Sequence, residues 1–106
     1  MEPKEFIELT KTVYNRIFDA FDSIDPDEAE ADQNLDNVSI SFANGTTFVI
    51  NRQSAVQQIW LATNRVGLHF SYQEGSQSWT CDKTGQEFFK LLSESVSQQM
   101  QQTIQI

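Results

Sequence analysis

The stretch Val38-Ser39-Ile40-Ser41-Phe42-Ala43-Asn44-Gly45-Thr46-Thr47-Phe48-Val49-Ile50 decides the fold. Val38, Ile40 and Phe42 alternate with serines, and Phe48 and Ile50 resume the alternation beyond Asn44-Gly45, a dipeptide suited to the positive φ angles of a tight hairpin turn. A β-hairpin with one apolar face follows. Downstream, Gln57 to Thr63 reads as a third strand, with Ile59 and Leu61 on one face and Gln58, Trp60 and Ala62 on the other. Gly67 permits a turn into Leu68–Gln73, where Leu68, Phe70 and Tyr72 alternate with His69 and Ser71. Glu74-Gly75-Ser76 turns again into Ser78–Cys81 around Trp79. Four to six short strands with no helix between them predict an antiparallel meander.

Helical patterns flank this block. Phe6, Leu9, Val13, Ile17, Phe21 and Ile24 recur at steps of three and four, which places them on one face of a helix from Pro3 to about Ile24. Its other face carries Glu5, Glu8, Asp19 and Asp22. Near the end of the chain, Thr84 and Glu87 have the spacing of a capping box, and Phe88, Leu91, Leu92, Val96 and Met100 continue a helix to about Gln102. Two amphipathic helices and a one-sided sheet pack most economically as two layers, helices side by side on one sheet face. The predicted fold is α+β, a two-layer α-β sandwich, with residues 1–106 forming a single domain. Between the first helix and the hairpin, Asp25–Asp36 holds no base and one large apolar residue, Leu35. An exposed loop, or an edge-strand lead-in, is expected there.

Charge is distributed unevenly. Eleven of the fifteen carboxylates lie in the first 36 residues, beside only Lys4, Lys11 and Arg16, so the net charge of −8 belongs to that third. Core formation requires no such asymmetry. The cluster comprises Asp19, Asp22, Asp25, Asp27, Glu28, Glu30, Asp32 and Asp36. Two carboxylates 4 Å apart repel by about 1 kcal/mol in water, and a bound cation relieves that. Such a surface attracts cations and basic proteins and repels nucleic acid and anionic membranes. Oxygen ligands favour hard cations, held weakly on an open ridge: Fe²⁺, Fe³⁺, Mn²⁺, Co²⁺, Ca²⁺ and lanthanides all qualify. Asp25-x-Asp27 opens like a calcium loop, but Ala29 and Glu30 break the EF-hand pattern.

Other chemistries find little support. No apolar run approaches a membrane span and no signal peptide is evident, so a cytoplasmic location is expected. Cys81 is the single cysteine and His69 the single histidine. Neither an intrachain disulfide, a Cys₄ zinc site nor a self-contained iron–sulfur cluster can form, and the histidine pairs of di-iron enzymes are missing. There is no Gly-x-Ser-x-Gly and no phosphate-binding glycine loop, so the chain is expected not to be an enzyme. Trp60 stands apart. Strand parity directs it away from Ile59 and Leu61, and an outward tryptophan beside amides has the composition of a protein-binding hot spot.

The run Asn51-Arg52-Gln53-Ser54-Ala55-Val56-Gln57-Gln58-Ile59-Trp60-Leu61-Ala62, then Gly67-Leu68-His69-Phe70, Trp79 and Gly85-x-Glu87-Phe88, closely resembles the frataxin family. The likeness spans essentially the whole chain. It implies two near-parallel terminal helices on an antiparallel sheet, and weak, exchangeable iron binding on an acidic ridge. It also implies a regulator or iron chaperone of iron–sulfur cluster assembly, with a cysteine desulfurase and a scaffold protein as partners. By position the ridge falls on Asp19, Asp22, Asp25 and Asp27, with Glu28, Glu30 and Asp32 nearby, and the partner-facing sheet on Asn51, Gln53, Gln58 and Trp60. A monomer is expected without metal. Phe18 and Ser23 replace acids frequent in relatives, which thins the helical part of the ridge, and Ala55 replaces a frequent proline. Two alternatives stand beside this reading: an acidic interaction module whose metal binding is incidental, and an iron-storing oligomer with ferroxidase-like activity.

Overall fold

The computed structural model describes every residue from Met1 to Ile106. Its elements are α1 (Pro3–Phe21), β1 (Ala29–Asn34), β2 (Asn37–Phe42), β3 (Thr47–Gln53), β4 (Gln58–Ala62), β5 (Gly67–Gln73), β6 (Ser78–Cys81) and α2 (Phe88–Met100). The strands form one antiparallel meander in sequence order, and both helices cover the same face. This is the predicted two-layer sandwich. Period-two alternation decides which side chains meet the helices: Val38, Ile40, Phe48, Ile50, Ile59, Leu61 and Phe70 are all at most 1% exposed. From α1 they receive Phe6, Val13, Tyr14 and Ile17, and from α2 Phe88, Leu92 and Val96. The Asn44-Gly45 turn is as expected, with Gly45 at φ 90° and the Asn44 side chain accepting from the Thr46 amide.

Three boundaries differ from the sequence reading. The first helix stops at Phe21, a turn before Ile24, because Asp25 precedes a proline and the Ile24 amide closes a tighter bond to the Phe21 carbonyl. Second, the acid-rich segment after it contains a full strand, β1, paired along its length with β2 from Ala29↔Phe42 to Asn34↔Asn37. Only Ala29 and Ala31 meet the core, so backbone pairing rather than apolar side chains holds this edge. Third, Thr84 does not cap α2. Glu87 is the N-cap residue, its carboxylate accepting from the Phe89 and Lys90 amides at 2.8 and 3.1 Å, while the Thr84 hydroxyl serves the Gln86 amide. The helix correspondingly ends at Met100, with Gln101 left-handed at φ 54°.

Beyond Gln101 the chain turns back along α2. Ser97 Oγ donates to the Ile104 carbonyl and accepts from its amide, Ser93 Oγ accepts from the Ile106 amide, and Arg16 of α1 donates to the Ile106 carbonyl at 2.9 Å. The Arg16 guanidinium also lies 3.9 Å above the Phe89 ring. Residues 104–106 thereby join the two helices, and Ile106 is buried in the common core.

Under α1, parity turns Arg52 inward after Phe48 and Ile50. Its side chain is 7% exposed, donates to Thr10 Oγ1 at 3.1 Å, pairs with Asp36 at 3.5 Å and faces the Tyr14 ring, whereas its Nε has no partner. Tyr14 donates its hydroxyl to the Asp36 carbonyl at 2.6 Å. Burial pushes the Tyr14 phenol up to about 12; the Arg52 charge opposes this and Asp36 adds to it. A pKa higher in the folded chain than in the unfolded one stabilises the fold below pH 10. That contribution is lost as pH rises from 10 through 12, where only the unfolded state ionises readily. Wild type should therefore lose stability across this window more steeply than Tyr14→Phe, as followed by urea unfolding at stepped pH. Parallel curves for the two proteins would contradict this.

Candidate functional site: an acidic ridge and an open sheet face

The ridge begins where α1 ends. Asp19 lies in the last turn and Asp22 is the C-cap residue, with no basic side chain in that turn. Helix C-termini carry partial negative charge, so these carboxylates face an unfavourable dipole as well as each other. Asp25 continues the ridge; its Oδ1 accepts from the Asp27 amide at 2.9 Å, and its carbonyl from the amides of Glu28 and Ala29. Glu30 and Asp32 project from β1 on the side away from Ala29 and Ala31, opposite Ser41 and Ser39 of β2. All seven metal-ligand candidates are exposed.

Counter-charges are scarce. The two ion pairs of the molecule are Lys11–Glu8 and Arg52–Asp36, so of the eight clustered acids only Asp36 meets a cation. Glu28 accepts a long bond from the Gln102 amide at 3.4 Å. The ridge does not assemble into a closed chelate: no three His, Cys, Asp or Glu side chains converge on a point that holds a metal ion. Asp22 and Glu30 both line a shallow 240 Å³ depression together with Phe18, Phe21 and Ile24. Such an arrangement suits loose, exchangeable contact with cations. Repulsion left uncompensated should also show in stability. Asp22→Asn combined with Asp25→Asn preserves the Asp25 turn acceptor, removes two charges, and should raise the melting temperature by about 4–8 °C at low salt, the equivalent of roughly 1 kcal/mol. An unchanged or lower melting temperature would mean that these carboxylates are locally satisfied.

The open sheet face is the second feature. Asn51, Gln53, Gln58 and Trp60 share it, as parity required, and Asn51 lies directly opposite Trp60. Trp60 is half-buried, and its indole stacks on the His69 ring at 4.1 Å between centroids with 9° between planes. The Trp60 Nε1–H donates to Gln58 Oε1 at 2.8 Å, and Gln53 Nε2 donates to Asn51 Oδ1 at 2.9 Å. Sequence reasoning left His69 without a role; here it is the other half of an aromatic platform. It also missed Asp82, which receives hydrogen bonds from this face. Cys81 lies on the buried side, 3% exposed. Burial raises its thiol pKa, but hydrogen bonds from Thr84 and from the Lys83 and Thr84 backbone lower it further, leaving it below the ordinary value.

Two helices packed on a six-strand antiparallel meander match a known fold. The frataxin-like domain model matches residues 1–102. This chain belongs to the frataxin family. It is 35% identical over 104 residues to the iron–sulfur cluster assembly protein CyaY of Psychromonas ingrahamii, covering 98% of this chain and 96% of that protein. The solved structure of frataxin from Psychromonas ingrahamii superposes with a TM-score of 0.89 at 33% identity, covering 99% of this chain and 97% of that one. Trimeric frataxin from the yeast Saccharomyces cerevisiae, complexed with ferrous iron, shares the fold at a TM-score of 0.65 and 21% identity, over 96% of this chain and 88% of that one. No helix of the present frataxin is long and apolar enough to cross a membrane.

Proposed function

We propose that this frataxin takes part in iron–sulfur cluster assembly as an iron-binding regulator or iron chaperone, without turnover chemistry of its own. The observation that carries the reading is the ridge: seven exposed carboxylates with no arginine or lysine within ion-pair distance. Asp19, Asp22, Asp25, Asp27, Glu28, Glu30 and Asp32 would hold Fe²⁺ or Fe³⁺ weakly, with other hard cations able to substitute. The same surface would dock on a basic patch of a cysteine desulfurase. Asn51, Gln53, Gln58 and Trp60 would face the assembly that includes the scaffold protein. Metal and desulfurase would then compete for one set of carboxylates, and the free protein would be a monomer in the cytoplasm.

Binding to a purified cysteine desulfurase, with and without Fe²⁺, tests this for wild type and for Asp22→Lys with Asp25→Lys. Docking through the ridge predicts affinity that falls with salt, falls further with iron, and drops at least tenfold in the reversed variant at low ionic strength. Equal affinities for both proteins at every salt concentration would exclude the ridge as the docking surface.

A further inference from the structure

The stacked pair Trp60–His69 is held from one residue outside the strands. Gln58 Oε1 accepts from the indole N–H at 2.8 Å, and Gln58 Nε2 donates to Asp82 Oδ2 at 2.6 Å. Asp82 Oδ1 accepts from Ser71 Oγ at 2.7 Å, and the Asp82 amide donates to the His69 carbonyl at 3.0 Å. An indole nitrogen only donates and a carboxylate only accepts, so a single orientation of the Gln58 amide satisfies both neighbours. Were the carboxylate absent, the indole N–H would still select the amide oxygen, but the Gln58 side chain would lose the anchor that holds that oxygen in place beneath the indole. The Asp82 amide also anchors the β5 backbone at His69, independently of the Asp82 side chain.

We propose that Asp82 is a positioning residue, which through Gln58 fixes the orientation of Trp60 on the docking face. This rests on the reading of that face as a partner surface. A tryptophan already held in its docking rotamer loses less conformational freedom on binding, and that is how a residue outside the contact would strengthen it. The sheet alone does not fix the ring: Ala62, two residues along β4 on the same face, is exposed and leaves Trp60 open on that side.

The test is NMR of the free protein followed by binding. The two indole N–H signals, from Trp60 and the buried Trp79, are assigned with Trp60→Phe. In Asp82→Ala, solvent exchange of the Trp60 indole proton should rise roughly fivefold, the loss of about one hydrogen bond, with the Trp79 signal unmoved as the internal control for folding. Asp82→Asn should restore slow exchange, because its carbonyl can accept from Gln58 while its amide donates to the Ser71 hydroxyl. Affinity for the purified desulfurase and scaffold protein should follow the same order, falling roughly fivefold in Asp82→Ala only. An unmoved Trp60 signal in Asp82→Ala, or an asparagine variant as impaired as the alanine one, would overturn the proposal. So would unchanged affinity of Asp82→Ala where Trp60→Ala binds weakly. If Trp60→Ala also binds normally, the docking reading fails instead, and the exchange data alone judge whether Asp82 orients the ring.

Discussion

Deleting residues 103–106 should lower the unfolding free energy by about 3 kcal/mol, one of the larger single effects available in this molecule. Burying an isoleucine contributes roughly 1.5–3 kcal/mol and each hydrogen bond about 1, against the entropy of ordering four residues. Ile106 is 8% exposed, and four hydrogen bonds with Ser93, Ser97 and Arg16 hold its segment against both helices. For a domain of this size the melting temperature should fall by about 12–24 °C. Circular dichroism on the truncated and full chains measures this directly. A drop under about 4 °C would mean that the segment only decorates the surface.

Trp60→Ala should weaken binding of the desulfurase and scaffold assembly by roughly 30-fold, the loss of about 2 kcal/mol typical of an aromatic hot spot. The fold should tolerate it. The ring is half-buried on the open face, away from the core that Ile59 and Leu61 fill, and its removal costs one part-buried hydrogen bond to Gln58 and one cross-strand stack with His69. Such a pair contributes about 0.2–1 kcal/mol. Isothermal calorimetry for binding and thermal melts for stability separate the two effects. Gross unfolding would place the ring in the core, whereas normal affinity would remove it from the interface.

The contrast between Trp60 and β1 shows what sequence makes legible. Trp60 was readable because parity within a strand is a strict geometric rule, and two buried neighbours determine where the third side chain points. The strand Ala29–Asn34 was legible only as the second of two alternatives, a loop or an edge-strand lead-in, because an edge strand covered on one side needs only two alanines for the core and takes its remaining support from the β2 backbone. Its carboxylates resemble a loop and also protect the edge from pairing with other chains. Arg52 follows the same alternation that placed Phe48 and Ile50 inside. Its charge concealed the pattern, and its partners Thr10, Tyr14 and Asp36 lie 42, 38 and 16 positions away in sequence. Asp82 was missed for a related reason: it acts through Gln58 and Ser71, which only the β4–β5–β6 register brings to it. In the ridge, position along the chain revealed the charge density. Three-dimensional placement was needed to show that Asp36 alone is neutralised and that Asp19 and Asp22 occupy the negative end of α1.

Everything attributed to the ridge depends on its carboxylates being available to a passing cation. Titrating Fe²⁺ anaerobically into the isotopically labelled protein, while following its backbone amide signals, tests that most directly. Available carboxylates predict progressive broadening or shifts confined to residues 19–36, reversed by a chelator or by excess salt, with the amides of β4 and β5 unmoved. Signals of residues 19–36 that stay fixed at physiological iron, or changes centred on His69 and Cys81 instead, would contradict it.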